Sequence, residues 1–271
     1  MIHPRLSISS LSSYRWSFEE DLALWRELGT RWAGTMFNKL EPDVAGSLAR
    51  MSEAGIGIST VIGPGFNLRA PESWNATRDG LASLIDAVAA EQGRSVYITT
   101  GRTTGAPWDE VLEVFAEAVA PCVAHGQAVG VPLAFEPSQR TDVSFVNTVR
   151  DAIDVATRTD LGIVVDFGNC WMERDFGAVM IRAAPHIALV QVGDVPIGAP
   201  TGPGAAAAGG RVPFGEGDLP LERMFRVIMD TGYLGPYELE MPGPQGEAEG
   251  YAPFIRRGAE KASALLEKLG I

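Results

Sequence analysis

Residues 131–166 read VPLAFEPSQRTDVSFVNTVRDAIDVATRTDLGIVVD and contain two short apolar runs separated by a longer segment with a helical pattern. The runs at residues 131–136 and 161–166 are rich in apolar and β-branched side chains, which is typical of buried strands. Residues 143–157 lie between them and are long enough for a helix that crosses over a sheet. A strand, a crossover helix and a second strand predict two parallel neighbouring strands.

The same unit repeats on both sides of this stretch until the whole chain is covered. Eight strands alternating with eight helices in about 250 residues are typical of a (β/α)8 barrel. The rival fold is a doubly wound open sheet, but its Gly-x-Gly-x-x-Gly loop is missing, because the first predicted strand runs into SSLSS at residues 9–13. The sequence therefore predicts an α/β protein, a single-domain TIM barrel over residues 1–271, with strands at residues 5–10, 31–35, 57–62, 95–100, 131–136, 161–166, 187–192 and 237–241, and helices at 18–28, 44–54, 73–92, 108–129, 143–157, 176–184, 219–230 and 251–269.

One segment departs from the average composition. Residues 196–210 are rich in Gly, Ala and Pro and follow the seventh predicted strand. Such a segment has no apolar face to bury. It is therefore either a flexible insertion or a lid over the active site, which loops on that face of a barrel often supply. The sequence leaves both interpretations open.

Composition and charge limit the function classes. The chain has 271 residues, 46% of them hydrophobic, and a formal net charge of −12, so it is globular and repels the phosphates of nucleic acids. Only two cysteines, Cys122 and Cys170, favour a reducing cytoplasm over a secreted disulfide scaffold. The first residues lack the apolar core of a signal peptide, and no apolar run approaches the ~20 residues of a membrane span. We therefore expect a cytoplasmic protein that binds neither nucleic acid nor membrane.

Polar side chains end the last four predicted strands. Each follows an apolar run at its C-terminal end, which in barrels faces the active site, and alternation along the strand turns it toward the interior. Three converging carboxylates repel one another in a water-poor cavity, and a divalent cation removes that repulsion. Because all the side chains supply oxygen, the set favours Mg²⁺ or Mn²⁺ over Zn²⁺. The four candidate ligands are Glu136, Asp166, Gln191 and Glu240.

Five short motifs accompany these strand ends: LAFEP at residues 133–137, VDFGN at 165–169, VQVGD at 190–194, RVPFGEGD at 211–218 and GYLG at 232–235. In this order and spacing they resemble the xylose-isomerase-like barrels of the sugar isomerase/epimerase superfamily, and the resemblance covers nearly the whole chain. It implies a barrel enzyme with a small sugar-like substrate that assembles as a homo-oligomer, a dimer or a tetramer. It also implies roles for six residues: Glu136, Asp166, Gln191 and Glu240 as metal ligands, and Asn169 and Arg211 as substrate-positioning groups.

The chain departs from that family pattern at several positions. Many epimerases of the family have His where this chain has Gln191 and Asn169, and a Gln at the third ligand position resembles the hydroxypyruvate isomerase branch. Exchange of His for Gln replaces a nitrogen ligand by a harder oxygen and removes a titratable group. Gln139 stands where the family has Asn in its Glu-Pro-x-Asn element. Alternation also places Glu238 on the face of Glu240, which implies a bulge or a second buried carboxylate, and the distance from the GYLG motif favours Glu240 as the ligand.

The predicted site suits proton transfer at a carbon next to a carbonyl. Glu136 and Glu240 can flank a substrate as an acid/base pair, while the metal stabilises the enediolate. Return of the proton to the same carbon is epimerisation, and return to the neighbouring carbon is isomerisation. We expect a divalent-metal-dependent isomerase or epimerase acting on a small hydroxy-carbonyl compound, a sugar or a sugar derivative. Two alternatives stay open: a metal-dependent lyase or dehydratase acting on a keto-sugar or keto-cyclitol, and a non-catalytic metabolite-binding barrel.

Overall fold

The computed structural model describes residues 2–198 and 210–271 of the chain. Residues 199–209, most of the Gly-, Ala- and Pro-rich segment, lie outside the described residues, so its two interpretations, as an insertion and as a lid, stay predictions. No helix in the described part is both long enough and apolar enough to cross a membrane.

Eight parallel strands within the described residues close into a barrel in sequence order. The first strand pairs with the last, with Ile8 opposite Leu239. Near the C-terminal ends, Gln191 lies opposite both Asp166 and Glu238, so these polar side chains come from neighbouring strands at one level. The predicted TIM barrel is confirmed, with strands β1 Leu6–Ser9, β2 Trp32–Met36, β3 Gly57–Ile62, β4 Val96–Thr99, β5 Leu133–Glu136, β6 Gly162–Asp166, β7 Ile187–Val192 and β8 Tyr237–Leu239.

Long helices connect successive strands, and short helices follow some strand ends directly. Glycines end two of the long helices as predicted, because Gly29 and Gly130 adopt positive φ angles of 65° and 78°. The helices are α1 Phe18–Leu28, α2 Phe37–Leu40, α3 Val44–Glu53, α4 Trp74–Ala90, α5 Trp108–Val129, α6 Val149–Thr159, α7 Phe167–Cys170, α8 Phe176–Ala183, α9 Leu221–Asp230, α10 Pro244–Glu249 and α11 Tyr251–Leu269.

Helix α6 begins later than the sequence predicts. The prediction of a helix at residues 143–157 is wrong at its start, because Thr148 caps the helix and its hydroxyl accepts a hydrogen bond from the Asp151 N–H at 3.1 Å. Before this cap the chain forms a turn, in which the Ser144 hydroxyl donates to the Val146 carbonyl at 2.7 Å. Local side chain-to-backbone bonds of this kind compete with helix formation.

Two separate groups of buried apolar side chains stabilise the barrel. The larger group packs the strands against the surrounding helices. The smaller group lies inside the barrel and consists of Tyr97, Ala134, Val164 and Leu189. The last three precede Glu136, Asp166 and Gln191 by two positions, so alternation places those polar side chains on the same inner face. The interior layer therefore forms a floor beneath the polar strand ends.

Candidate active site

A cavity of about 200 Å³ lies at the C-terminal ends of the strands, and its wall has two chemically different sides. Side chains from the region of β1 to β3 are apolar, whereas those from β5 to β8 are mostly ionisable. The predicted substrate-positioning residues Asn169 and Arg211 both line the cavity, as expected. The apolar side includes Leu11, Met36 and Ile62, and the polar side includes the predicted ligands Glu136, Asp166 and Glu240.

Glu136 ends β5 and is held by the segment that follows the next strand. Its Oε1 accepts a hydrogen bond from Asn169 Nδ2 at 2.6 Å. Asn169 belongs to α7, which follows β6 without a loop. The Gln139 side chain donates to the backbone carbonyl of Asn169 at 2.9 Å. Gln139 therefore supports the backbone of the residue that contacts Glu136.

Asp166 ends β6 and forms a buried ion pair. Its Oδ1 accepts a hydrogen bond from the Gly168 N–H at 2.9 Å, and its Oδ2 contacts Arg211 Nη2. Glycine is needed at position 168, because a Cβ there would overlap the Arg211 guanidinium. Arg211 comes from the segment between β7 and α9, so a residue distant in sequence brings a fixed positive charge among the carboxylates.

Glu240 directly follows β8 and is joined to β7 through Gln191. Its Oε2 accepts hydrogen bonds from Gln191 Nε2 at 2.6 Å and from the Ser9 hydroxyl at 3.2 Å. The same Gln191 nitrogen lies 3.1 Å from the Tyr97 hydroxyl. Among the described residues, the buried Gln191 Oε1 has no hydrogen-bond partner. A buried acceptor left unpaired costs roughly 1–3 kcal/mol, so this atom is suited to a ligand that completes it.

Burial dominates the electrostatics of the cavity. Glu136 keeps some exposure to the cavity, yet burial of its carboxyl, reinforced by the Asp166 charge, raises its pKa to about 8, although Arg211 opposes the shift. Burial and the charges of Glu136 and Asp166 hold the pKa of Glu240 well above its ordinary value. Burial acts to lower the pKa of Arg211, but the neighbouring carboxylates outweigh it and raise that pKa. The Arg211 guanidinium thus stands beside three carboxyl groups, which favours binding of a further cation.

Two ionisable residues that line the cavity, Tyr97 and Arg140, lie outside the predicted site set. Tyr97 is buried in β4, and burial together with the charges of nearby Glu residues raises the pKa of its hydroxyl well above the ordinary value. Side chains alternate between the two faces of a strand, so Tyr97 lies on the same face as Thr99 at the end of β4, and this pattern could have identified it. Arg140 lies in the loop after β5 and pairs with Asp142 at 2.6 Å. No sequence signal identifies Arg140, because a loop position follows no period.

Within the described ranges, no group of three or more Asp, Glu, His or Cys side chains is arranged to hold a metal ion. The three carboxylates among the predicted ligands each accept a hydrogen bond from a neighbouring side chain. Asn169 contacts Glu136, Arg211 contacts Asp166, and the amide nitrogen of Gln191 contacts Glu240. Glu136, Asp166 and Glu240 therefore line one cavity, and each has a carboxylate oxygen engaged by a donor from the protein. The fourth predicted ligand, Gln191, is buried beside Glu240 and is not among the described residues that line the cavity.

Comparison with known proteins identifies the family. A sequence profile described as xylose isomerase-like TIM barrel matches residues 22–268. The chain belongs to this family. Over 108 residues it is 32% identical to the L-ribulose-5-phosphate 3-epimerase UlaE of Salmonella paratyphi A, a match that covers 39% of this chain and 34% of that protein. The chain thus matches about a third of the length of this curated relative, and the resemblance to the sugar isomerase/epimerase superfamily is confirmed.

Solved structures share the family's barrel over almost their whole length. Protein SMc04130 from Sinorhizobium meliloti 1021 superposes with a TM-score of 0.82 at 20% identity, covering 96% of this chain and 98% of that one. IolI with a bound zinc atom gives 0.81 at 16% identity over 99% of both chains. L-ribulose 3-epimerase gives 0.76 at 19% identity over 98% and 95%. At these identities the likeness establishes the fold.

Proposed function

We propose that this family member is a divalent-metal-dependent isomerase or epimerase that acts on a small hydroxy-carbonyl compound, a sugar or a sugar derivative. The observation that carries the proposal is the pair of carboxyl groups, Glu136 and Glu240, that line one cavity and whose pKa values are both raised by burial. A carboxyl group whose pKa is raised toward neutrality, as burial raises that of Glu136 to about 8, both accepts and releases protons at physiological pH. The epimerase named among the relatives supports the same reaction class.

The residues present fit a divalent cation. Glu136, Asp166, Glu240 and the Oε1 of Gln191 form an all-oxygen donor set, which suits Mn²⁺ or Mg²⁺. The unpaired Oε1 and the excess of carboxyl groups over guanidinium are the two features of this chain that a cation satisfies. When bound, the cation supplies Lewis-acid stabilisation of negative charge on the substrate oxygens.

The protein side chains divide the remaining tasks. Glu136 and Glu240 move the proton: one removes it from the carbon next to the carbonyl, and the other returns it. Asn169 holds the Glu136 carboxyl at 2.6 Å and so fixes where that proton is exchanged. Arg211, charged and buried beside Asp166, stabilises an anionic substrate oxygen. The apolar side around Met36 and Ile62 excludes water from the cavity.

Solvent isotope incorporation tests this function. The chain, supplied with Mn²⁺ or Mg²⁺ in D₂O, is incubated with a panel of small ketoses, their phosphates and hydroxy-keto acids. We expect deuterium at the carbon next to the carbonyl in a product of unchanged covalent structure, and no exchange by Glu136→Gln. Metal-dependent turnover without exchange contradicts the enediolate mechanism. A product lighter by one water identifies a dehydratase, and metal-independent ligand binding without turnover identifies a binding protein.

A further inference from the structure

A second buried carboxylate lies below the candidate site, inside the barrel. Glu238 belongs to β8 and is 0% exposed. Its Oε2 accepts hydrogen bonds from the Ser59 hydroxyl at 2.6 Å and the Ser7 hydroxyl at 3.3 Å. Its Oε1 accepts one from Gln191 Nε2 at 3.2 Å. All three donors are uncharged, so this acid is not the partner of a structural ion pair.

Small residues on the neighbouring strands make the space that Glu238 occupies. Ser7 on β1 and Ser59 on β3 donate to it and also contact each other at 2.8 Å. On β2, Gly34 lies against the carboxylate, and a Cβ at that position would overlap both carboxylate oxygens. A carboxylate in the centre of a barrel is costly to bury, and an apolar side chain fits the surrounding layer better. The buried Glu238 and the adjacent Gly34 therefore indicate that this acid has a role other than packing the barrel.

The contact between Glu238 and Gln191 indicates a role in orienting the Gln191 amide. The Gln191 nitrogen faces three acceptors: Glu240 at 2.6 Å, the Tyr97 hydroxyl at 3.1 Å and Glu238 at 3.2 Å. A carboxamide turned by 180° would place its oxygen against the carboxylates, where like partial charges repel. The carboxylates therefore select one orientation of the amide. In that orientation Gln191 Oε1 has no hydrogen-bond partner among the described residues.

We propose that Glu238 is a positioning residue for the metal ligand Gln191: it holds the amide nitrogen and thereby presents Oε1 to the cation. This inference rests on the proposed function. A metal-ligating histidine commonly donates its other ring N–H to an outer carboxylate, which fixes the orientation of the ring and makes the ligating nitrogen more basic. A primary amide supplies the same pair of atoms, with the nitrogen held from outside and the oxygen free to bind.

Metal affinity measured without substrate tests the proposal. Mn²⁺ binding is titrated by electron paramagnetic resonance for the wild type, Glu238→Gln and Glu238→Met. Glu238→Gln allows both amide orientations and Glu238→Met removes the acceptor, so we expect about 10-fold and up to about 100-fold weaker binding. Asp21→Asn is the matched control, since it removes another buried carboxylate that does not contact the cavity residues, and it should leave Mn²⁺ affinity unchanged.

A double-mutant cycle separates orientation from simple loss of charge. In the Gln191→Ala background the amide is absent, so Glu238→Met should cause no further loss of affinity if Glu238 acts through Gln191. An equal loss in both backgrounds means that Glu238 acts only as a distant charge, and it overturns the proposal. Should Glu238→Met fail to fold, Ser59→Ala shifts the carboxylate without removing it, and unchanged affinity in Ser59→Ala and Glu238→Gln overturns it equally.

The same titration distinguishes the failure of this inference from failure of the proposed function. If Gln191→Ala and Glu240→Gln bind Mn²⁺ as the wild type does, the metal site itself is wrong. If those two variants bind weakly while both Glu238 variants bind normally, the metal site stands and only the positioning role is wrong.

Discussion

Asp21, in α1, and Glu240, directly after β8, both carry buried carboxyl groups, but the side chains around them differ. Asp21 Oδ2 forms an ion pair with Lys39 Nζ at 2.6 Å, and its Oδ1 accepts a hydrogen bond from the Ser13 hydroxyl at 2.5 Å. Lys39 also donates to the Ser10 carbonyl at 3.0 Å. Among the described residues, the hydrogen-bond donors to Glu240 are the neutral side chains of Gln191 and Ser9.

The difference separates an acid in a structural ion pair from an acid that we propose to be functional. Asp21 has a cation of its own, so the cluster is complete and ties the segment after β1 to α2. Glu240 shares the single guanidinium of Arg211 with Glu136 and Asp166. Even the paired Asp21 has its pKa raised by burial to about 6, which shows how strongly this interior disfavours negative charge. Acids that remain buried without a cation of their own indicate a site that a ligand completes.

The largest expected effect comes from removing the unpaired acids. Glu136→Gln and Glu240→Gln should each lower kcat/KM at least about 1000-fold, or about 4 kcal/mol, because each removes a group that we propose to transfer protons and to bind the metal. Their metal-free unfolding free energy should not fall, because the lost charge had no cation of its own. Initial rates and urea denaturation measure the two quantities.

The surface acid Glu113, paired with Arg158, supplies the matched control for those variants. Glu113→Gln should leave both quantities nearly unchanged, because exposed ion pairs contribute little. Substantial activity in Glu136→Gln, or a metal-free protein clearly destabilised by either active-site substitution, contradicts the division between structural and functional acids.

Removing Lys39, the cation paired with Asp21, should have a smaller effect, and this effect is on stability. Lys39→Met should lower the free energy of unfolding by about 3 kcal/mol, because it leaves Asp21 buried without a cation. Mn²⁺ affinity should stay at the wild-type value. Adding Asp21→Leu to Lys39→Met should recover most of the lost stability, since an apolar pair replaces the ionic one. Denaturant titration and metal titration check the variants, and a loss below about 0.5 kcal/mol shows that the pair has no structural role.

The smallest expected effect is a pH dependence that belongs to Asp21. Because burial raises its folded-state pKa to about 6, the folded protein binds this proton more tightly than the unfolded chain does. The resulting stability is fully present below about pH 4 and is lost as the pH rises through 6. The difference in unfolding free energy between wild type and Asp21→Asn should therefore fall by about 2 kcal/mol between pH 4 and pH 6. A difference that rises over this interval reverses the sign and contradicts the assignment.

The sequence predicts the barrel well because its signals are local. Apolar runs and helical patterns are read within short windows, and their strict alternation leaves few topologies. The start of α6 is predicted wrongly for the same reason, because the apolar pattern around Phe145 begins before Thr148, the residue that caps the start of the helix. Period-2 alternation places Glu136, Asp166 and Gln191 on the inner face, and the structure confirms that the interior layer beneath them is formed by Ala134, Val164 and Leu189.

By itself, the sequence determined the fold, the family and the positions at which polar side chains end the strands, because each depends on spacing along the chain. Only the tertiary structure decided which atoms meet. Several contacts join elements that become neighbours only when the barrel closes. They are the ion pair of Arg211 with Asp166, the ion pair of Lys39 with Asp21, and the hydrogen bond from Gln191 to Glu238. Side-chain rotamers and desolvation then set each contact, and neither follows from a period in the sequence.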